Sequence, residues 1–189
     1  MIMVAEPDLV DGDLAAGRLR CPRCPGTLRP WAHAAPRRVR QLDGSTRTVH
    51  PRRARCSHCR VTQVLLPGSL LPRHADATEV IGAALLAKAH GRGWRRIAAE
   101  LGRPPTTVRR WLRAVRGRHP GWLRHQGVQL AADLHPPVLV DLAAQPTELG
   151  DALAALAAAV AAWRHRFARH AEAWTLIGVF TRGRLLAPT

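Results

Sequence analysis

Two Cys-x-x-Cys units constrain the fold of this 189-residue chain more than any other feature. They are Cys21-Pro-Arg-Cys24 and Cys56-Ser-His-Cys59, separated by residues 25–55. In each unit one tight turn can aim both sulfurs at a common point, and two such turns supply the four soft ligands of a tetrahedral metal site. The spacing therefore predicts that the four thiolates bind one structural Zn²⁺ ion.

The sequence around the second unit predicts short strands. "RRVRQLDGSTRTVHP" contains two extended runs around Asp43-Gly44, a dipeptide that favours a hairpin turn, and "RVTQVLL" is rich in β-branched residues. A hairpin beneath each cysteine turn is the layout of a zinc ribbon, which we predict over residues 21–67. Zinc binding would supply folding free energy that so arginine-rich a segment cannot obtain from a core.

Two other uses of the cysteines are a pair of disulfides and a thioredoxin-like redox pair. The N-terminus "MIMVAEPDLVDGD" turns acidic after four apolar residues, unlike a signal peptide. The longest apolar run, "ALAALAAAVAAW", is well short of the roughly 20 residues that span a bilayer. We therefore expect a cytoplasmic chain with no membrane partner, where disulfides are rare. A redox pair calls for a βαβ pattern, which the sequence lacks.

Positive charge is concentrated in two blocks. The formal net charge is +16, with twelve arginines in residues 18–60 against Asp43 alone and ten in residues 92–124 against Glu100 alone. From residue 125 onward, five arginines balance five acids. Coding bias would raise arginine everywhere, whereas separate blocks indicate a localised anion-binding face. The clustering favours nucleic acid as the binding partner over a membrane, and also over a basic surface with no specific partner. We therefore expect the protein to be associated with the nucleoid.

The second basic block has the pattern of a helix-turn-helix, predicted over residues 74–118. "DATEVIGAALLAKAHG" is helical by its apolar spacing, and "GWRRIAAELGRPPTTVRRWLRAVRGR" follows it. In that stretch Ala98 is small where two helices would cross, Gly102 permits the turn, and Val108 and Trp111 anchor the second helix. That helix would start near Pro104-Pro105, where proline loses no helical hydrogen bond.

The polar side of the second helix supplies the predicted DNA contacts. Threonines and arginines lie on the side of this helix opposite its apolar stripe. In a major groove, an arginine can hydrogen-bond both O6 and N7 of guanine. We predict groove contacts by Thr106, Arg109 and Arg110, with Thr107 beside them. Backbone contacts are predicted for Arg95, Arg96, Arg113 and Arg116. The alternative is an amphipathic helical pair whose arginines are only solvated.

The ends of the chain differ from its middle. Residues 1–20 form an acidic segment with a predicted short helix, residues 119–146 a predicted linker, and residues 147–189 a predicted C-terminal helical segment. Thr147 is a plausible cap, followed by an apolar stripe at spacings of four and three: Leu149, Leu153, Leu156, Val160, Trp163, Phe167 and Trp174. The stripe forms either a homodimer seam or, as we favour, an intramolecular contact. The predicted fold is mainly α with a small β zinc ribbon, a helix-turn-helix bundle and a long C-terminal helix.

The order of "CPRC", "RRARCSHC" and "IAAELGRPPTTVRRWLR" resembles the N-terminal zinc-ribbon and helix-turn-helix region of bacterial insertion-sequence transposases. It is more closely similar to a family of short actinobacterial proteins with the same layout. The resemblance covers roughly residues 18–118. It implies cysteine ligation of zinc and recognition of DNA, which in transposases is the terminal repeat of the element.

The tail argues against catalysis. A transposase nuclease needs three carboxylates on an RNase-H-like sheet to hold two metal ions, and residues 119–189 are too few for that fold. We therefore expect no enzyme, but a sequence-specific duplex DNA-binding protein that serves as a transcriptional regulator or as an accessory factor of a mobile element. The open alternatives are a truncated or partial transposase DNA-binding subunit, an RNA-binding zinc-ribbon protein and a protein-interaction module.

Overall fold

The computed structural model describes residues 1–187 and is mainly helical with a small sheet region. The strands are β1 (Ile2–Val4), β2 (Leu28–His33), β3 (Arg37–Arg40), β4 (Thr46–Val49), β5 (Arg52–Cys56) and β6 (Thr62–Pro67). The helices are α1 (Val10–Ala15), α2 (Thr78–Ala89), α3 (Trp94–Leu101), α4 (Pro105–Ala114), α5 (His119–Leu134), α6 (Glu148–Phe167) and α7 (Ala173–Phe180). Single 3-10 turns lie at Pro7–Leu9 and Pro136–Leu139.

Four strands form one sheet in the order β1-β6-β5-β2. β5 is antiparallel to both its neighbours, while β1 lies parallel to β6 with Ile2 opposite Leu65. The N-terminal segment does contain the predicted short helix, α1, but sequence reasoning missed β1. A run of three apolar residues is too short to show a period, and its pairing with β6 is a contact distant in sequence.

The hairpin predicted around Asp43-Gly44 forms, as β3 and β4. Gly44 has φ +85°, and the Ser45 N–H donates to Asp43 Oδ1 at 2.9 Å. This hairpin is separate from the four-stranded sheet. Its Val39 is fully buried in the core of the helices, so the hairpin connects the cysteine-bearing part of the chain to the helical part.

Helices α2, α3 and α4 occupy the segment predicted to be helical. Gly91, with φ +82°, follows the end of α2, and Gly102, with φ +60°, carries the turn between α3 and α4. L-residues are disfavoured at such angles, so Gly91 ends α2, and Gly102 permits the turn after α3 as predicted.

The prediction of a linker over residues 119–146 was wrong for its first half, which is the helix α5. This helix contains a proline and two glycines, residue types that are unfavourable in helix interiors. Pro120 lies in the first turn, where a missing N–H costs nothing, and Gly127 lets α5 approach α6 closely. A Cβ on Gly127 would lie 2.5 Å from the carbonyl carbon of Ala155.

The C-terminal segment is two helices, α6 and α7. Thr147 caps α6, since its Oγ1 accepts a hydrogen bond from the Gly150 N–H at 3.0 Å. The first four positions of the predicted stripe, Leu149 to Val160, are buried in the core, whereas Phe167 at the helix end is 49% exposed. The stripe thus packs inside the chain, as favoured, and dimerisation through this helix stays a prediction.

The interior has two parts. A large core joins α2 to α7 with Val39 and with residues 66–71. A smaller one surrounds the cysteines and contains Val10, Leu14, Leu28, Ala54 and Leu65. Across residues 1–187, none of the helices combines the length and apolarity needed to cross a bilayer.

Candidate metal centre and nucleic-acid interface

The fold brings the four predicted ligands together. All four Sγ atoms lie within 4.8 Å of one another, with separations of 3.7 Å for Cys21–Cys59 and 3.4 Å for Cys24–Cys56. The thiols are free, not joined in disulfides. Tetrahedral coordination with metal–sulfur bonds of about 2.3 Å would place sulfurs ~3.8 Å apart. The cluster therefore has the dimensions of a site for a single metal ion.

Each cysteine pair lies on a turn closed by backbone hydrogen bonds. The Cys21 N–H donates to the Gly26 carbonyl at 2.9 Å, and the Cys56 N–H donates to the Val61 carbonyl at 3.0 Å. Within the turns, the N–H groups of Arg23 and His58 lie 3.5 and 3.4 Å from the Sγ of Cys21 and Cys56. Donors aimed at sulfur favour the thiolates that a metal requires.

Glycine is required where the two turns meet. A Cβ on Gly26 would lie 2.8 Å from both Cys56 Sγ and the His58 Cβ, so any larger residue would push the turns apart. Arg60 follows the second pair and has φ +61°, a left-handed conformation that favours glycine. The corresponding residue of the first turn is Pro25, whose ring fixes φ near −65°. The two turns therefore differ in backbone shape.

The thiols differ in acidity. For Cys56, burial opposes ionisation, but hydrogen bonds from the His58 and Cys59 N–H groups and from neighbouring thiols lower its pKa to about 6. For Cys59, a backbone hydrogen bond from Val61 favours the thiolate, but burial and the surrounding thiols raise its pKa to about 11. Four sulfurs this close cannot all ionise without a cation, and a bound metal would supply that charge.

Helices α3 and α4 have the packing expected from the sequence. Ile97 and Ala98 on α3 are buried, as are Val108, Trp111 and Leu112 on α4. Trp111 is fully buried, so α4 is anchored on the core by its largest side chain. The opposite side of α4 is left to solvent.

The predicted DNA contacts lie on that open side or next to it. Thr106, Arg109, Arg110 and Arg113 are exposed on α4, and Thr107 is half-buried. Arg116 is exposed but lies past the end of α4 at Ala114. All the exposed contacts point away from the core, and none of the α4 arginines forms an ion pair within residues 1–187.

The two predicted contacts on α3 differ from each other. Arg95 lies over the Trp94 ring, with its guanidinium carbon 4.5 Å from the ring centroid. Arg96 is bound to Glu100 Oε1 at 3.0 Å, and Arg92 is bound to Oε2 at 2.7 Å. The hydrogen bond from Arg96 lowers the pKa of Glu100. Burial opposes this effect, and the hydrogen bond from Arg92 adds to it. Arg95 is the freer of the two predicted contacts.

One buried charge cluster was missed by sequence reasoning. Asp76, just before α2, accepts two hydrogen bonds from Arg40 at 3.0 and 2.6 Å and one from Arg103 at 2.6 Å. Arg103 lies in the turn between α3 and α4, and its Nη2 donates to the Gln41 carbonyl at 2.7 Å. The cluster fixes the β3–β4 hairpin to that turn. Spacing in sequence gives no sign that residues 40, 76 and 103 meet.

The acidic N-terminal segment neutralises arginines of the same chain. Asp11 pairs with Arg52 at 2.6 Å, and Glu6 pairs with Arg169 at 2.7 Å. Each pair is partly exposed, so each contributes little to stability. Their effect is to remove Arg52 and Arg169 from the set of free cations.

An exposed aromatic residue lies on the edge strand β2. Trp31 is 57% exposed and sits at the irregularity in the β2–β5 pairing, between Pro30 and Ala32. The Arg55 guanidinium carbon is 4.7 Å from its ring centroid. An open indole face beside arginine is a surface on which a nucleobase can stack.

Comparison with known proteins gives one family match. A family described as a domain of unknown function, DUF6431, matches residues 21–111, just under half of the chain. The match runs from Cys21 to Trp111, so it includes the cysteine cluster, α2, α3 and most of α4. No curated protein and no solved structure matches the chain. The likeness to transposases therefore stays a prediction from motifs.

Proposed function

We propose that this protein is a non-enzymatic, sequence-specific binder of duplex DNA, with one structural zinc ion in a zinc ribbon and α4 as the recognition helix of a helix-turn-helix. The proposal rests mainly on the orientation of α4. Fully buried Trp111 anchors its apolar side on the core, and arginines that form no ion pair in the described residues occupy its exposed side. A basic helix held rigidly on a core is suited to enter a major groove.

The zinc assignment rests on the donor set. Four thiolates with tetrahedral spacing suit Zn²⁺ better than Mg²⁺ or Ca²⁺, which prefer oxygen ligands. Elemental analysis of the purified protein is expected to find one zinc per chain, and chelation is expected to remove hydrogen-exchange protection from β2, β5 and β6. Absence of zinc, or unchanged protection in chelator, would contradict the assignment.

The DNA assignment is tested by selection. Purified protein is incubated with a random pool of duplexes, and the bound DNA is sequenced. We expect an enriched motif, with affinity that falls steeply as salt rises because phosphate contacts release counterions. If the bound DNA has the same composition as the starting pool, the protein binds DNA only non-specifically, and the proposed sequence specificity is wrong.

The biological role follows from the site that selection recovers. A transcriptional regulator would select a motif found upstream of genes, and an accessory factor of a mobile element would select the terminal repeats of that element. A truncated or partial transposase DNA-binding subunit would select the same repeats, with an RNase-H-like catalytic domain encoded in a neighbouring reading frame. In each case the protein acts in the cytoplasm at the nucleoid.

One observation favours a second candidate, RNA binding by the zinc ribbon. Trp31 offers an open ring beside Arg55, and unpaired bases stack on such surfaces with about 1 to 3 kcal/mol per base. A filter-binding comparison of duplex DNA with single-stranded and structured RNA separates the candidates. Tighter binding of RNA, lost in Trp31→Ala, would favour the ribbon over α4 as the principal nucleic-acid site.

A further inference from the structure

A cleft of about 730 Å³ lies on the flank of α4, apart from the metal site. It shares one residue, Arg110, with the predicted groove contacts. Its walls come from the loop before α2, from α4 and from the turn that follows α7. Its lining residues are Met1, Pro72, Arg73, His74, Arg110, Trp111, Ala114, Arg182, Gly183, Arg184, Leu186 and Ala187. A volume of this size is typical of pockets for small molecules.

The cleft is positive and contains no counter-charge. Four arginines line it, Arg73, Arg110, Arg182 and Arg184, and no aspartate or glutamate does. All four are exposed, and none of them forms an ion pair within the part of the chain that the structure describes. Four unpaired guanidinium groups around one cleft repel one another, and a bound anion would offset that repulsion.

Two of these arginines have a strained backbone. Arg73 has φ +64° and Arg182 has φ +51°, and the described part of the chain contains only two other non-glycine residues with positive φ. A left-handed conformation costs an L-residue roughly 1 to 2 kcal/mol compared with the right-handed one. Strain of this kind clusters at binding sites, because it holds side chains in a geometry that serves a ligand.

The cleft is also held in shape before any ligand enters. A Cβ on Gly183 would lie 2.8 Å from Pro72 Cδ, so the turn after α7 packs directly on the loop before α2. The Ala187 N–H donates to the Ala114 carbonyl at 3.0 Å, which fixes residue 187 to the last residue of α4. Binding would therefore require little ordering of the protein.

We propose that this cleft binds a phosphate group. Guanidinium groups match phosphate oxygens with paired hydrogen bonds, and the four arginines come from three separate wall segments. The apolar lining includes the half-buried residues Pro72, Ala114 and Ala187, which can contact the uncharged part of a phosphorylated compound. The same chemistry would fit a phosphate of the DNA backbone beside the groove that α4 enters. The cleft itself does not depend on the function proposed above.

The test uses titration calorimetry with inorganic pyrophosphate on the full chain. The double variant Arg73→Gly, Arg182→Gly removes two cations and relieves both left-handed residues, so it is expected to fold at least as stably as the wild type. Loss of two charge-assisted contacts is expected to weaken pyrophosphate binding by about tenfold or more. The control Arg124→Ala, Arg166→Ala removes the same charge from exposed positions outside the cleft.

The control is expected to bind pyrophosphate within about threefold of the wild type, as long-range charge effects are screened. Equal weakening in both double variants, or no binding by the wild type, would overturn the phosphate site.

A second experiment identifies the source of the phosphate. Fluorescence anisotropy gives the affinity of both double variants for a duplex recovered by selection. If only the cleft variant loses affinity for this duplex, the cleft binds phosphate of the DNA backbone. If the two variants bind the duplex equally well, the cleft binds a free phosphorylated compound. Because pyrophosphate titration involves no DNA, failure of the DNA proposal and failure of the cleft are distinguishable.

Discussion

Arg60 shows how a single residue can oppose the fold that surrounds it. It follows the second cysteine pair with φ +61°, where glycine would be unstrained. Its carbonyl accepts a hydrogen bond from Arg55 Nε at 3.2 Å, an interaction that does not require the Arg60 side chain. Because this contact uses only the Arg60 backbone, a glycine at this position could keep it.

Arg60→Gly is expected to raise the free energy of unfolding by about 1 kcal/mol, because it removes a left-handed L-residue. The measurement is urea unfolding of the zinc-loaded protein. Arg47→Gly, at an exposed position in β4, is the matched control and is expected to lower stability by roughly 0.5 to 1 kcal/mol. A loss of stability in Arg60→Gly would contradict the interpretation that this residue is strained.

Residues whose role depends on local spacing could be predicted from the sequence. The four metal ligands, Gly102 and Trp111 belong to this class, because spacing along the chain sets which of them share a turn or a helix face. Asp76 could not be predicted, because its two partners lie on elements that only the folded chain brings together. The left-handed arginines of the cleft follow from tertiary packing and leave no trace in composition.

Helices α5 and α6 pack closely because α5 has a glycine where the two helices meet. Gly127 and Gly121 both lie in α5, but a Cβ on Gly127 would overlap the α6 backbone at Ala155, whereas one on Gly121 would meet no atom within 4 Å. Gly127 lies among the buried residues of α5, where a helix usually carries an apolar side chain.

Gly127→Ala is expected to destabilise the protein by about 1 to 3 kcal/mol, since the two helices must move apart. Gly121→Ala is expected to be neutral or to stabilise by up to about 1 kcal/mol through helix propensity alone. Thermal unfolding followed by circular dichroism compares the two. Equal effects of the two substitutions would contradict the close contact of α5 with α6.

Across the whole molecule, the β3–β4 hairpin and the helices are joined by the charges of Arg40, Asp76 and Arg103. The side chains of Asp76 and Arg103 are 3% and 7% exposed, so neither can exchange its partner for water. The sequence predicted the ribbon and the helix pair as separate units, whereas this cluster and Val39 connect them. The family match from residue 21 to 111 extends across the same connection.

Asp76→Asn is expected to lower the free energy of unfolding by about 3 to 5 kcal/mol, because it leaves the buried Arg103 without a counter-charge. Glu100→Gln removes an exposed carboxylate that also binds two arginines, and its expected cost is below about 1 kcal/mol. Both are measured by denaturant unfolding. Comparable losses in the two variants would show that burial of the Asp76 cluster does not matter.

If the exposed arginines of α4 recognise duplex DNA, replacing one of them should weaken binding to a selected duplex. Fluorescence anisotropy gives the affinity of wild type, Arg109→Ala and Arg124→Ala for a duplex recovered by selection. We expect Arg109→Ala to lose about 1 to 3 kcal/mol of binding free energy, and Arg124→Ala, which removes the same charge from α5, to lose less than about 0.5 kcal/mol. Equal affinity of all three proteins for that duplex would contradict recognition by these arginines.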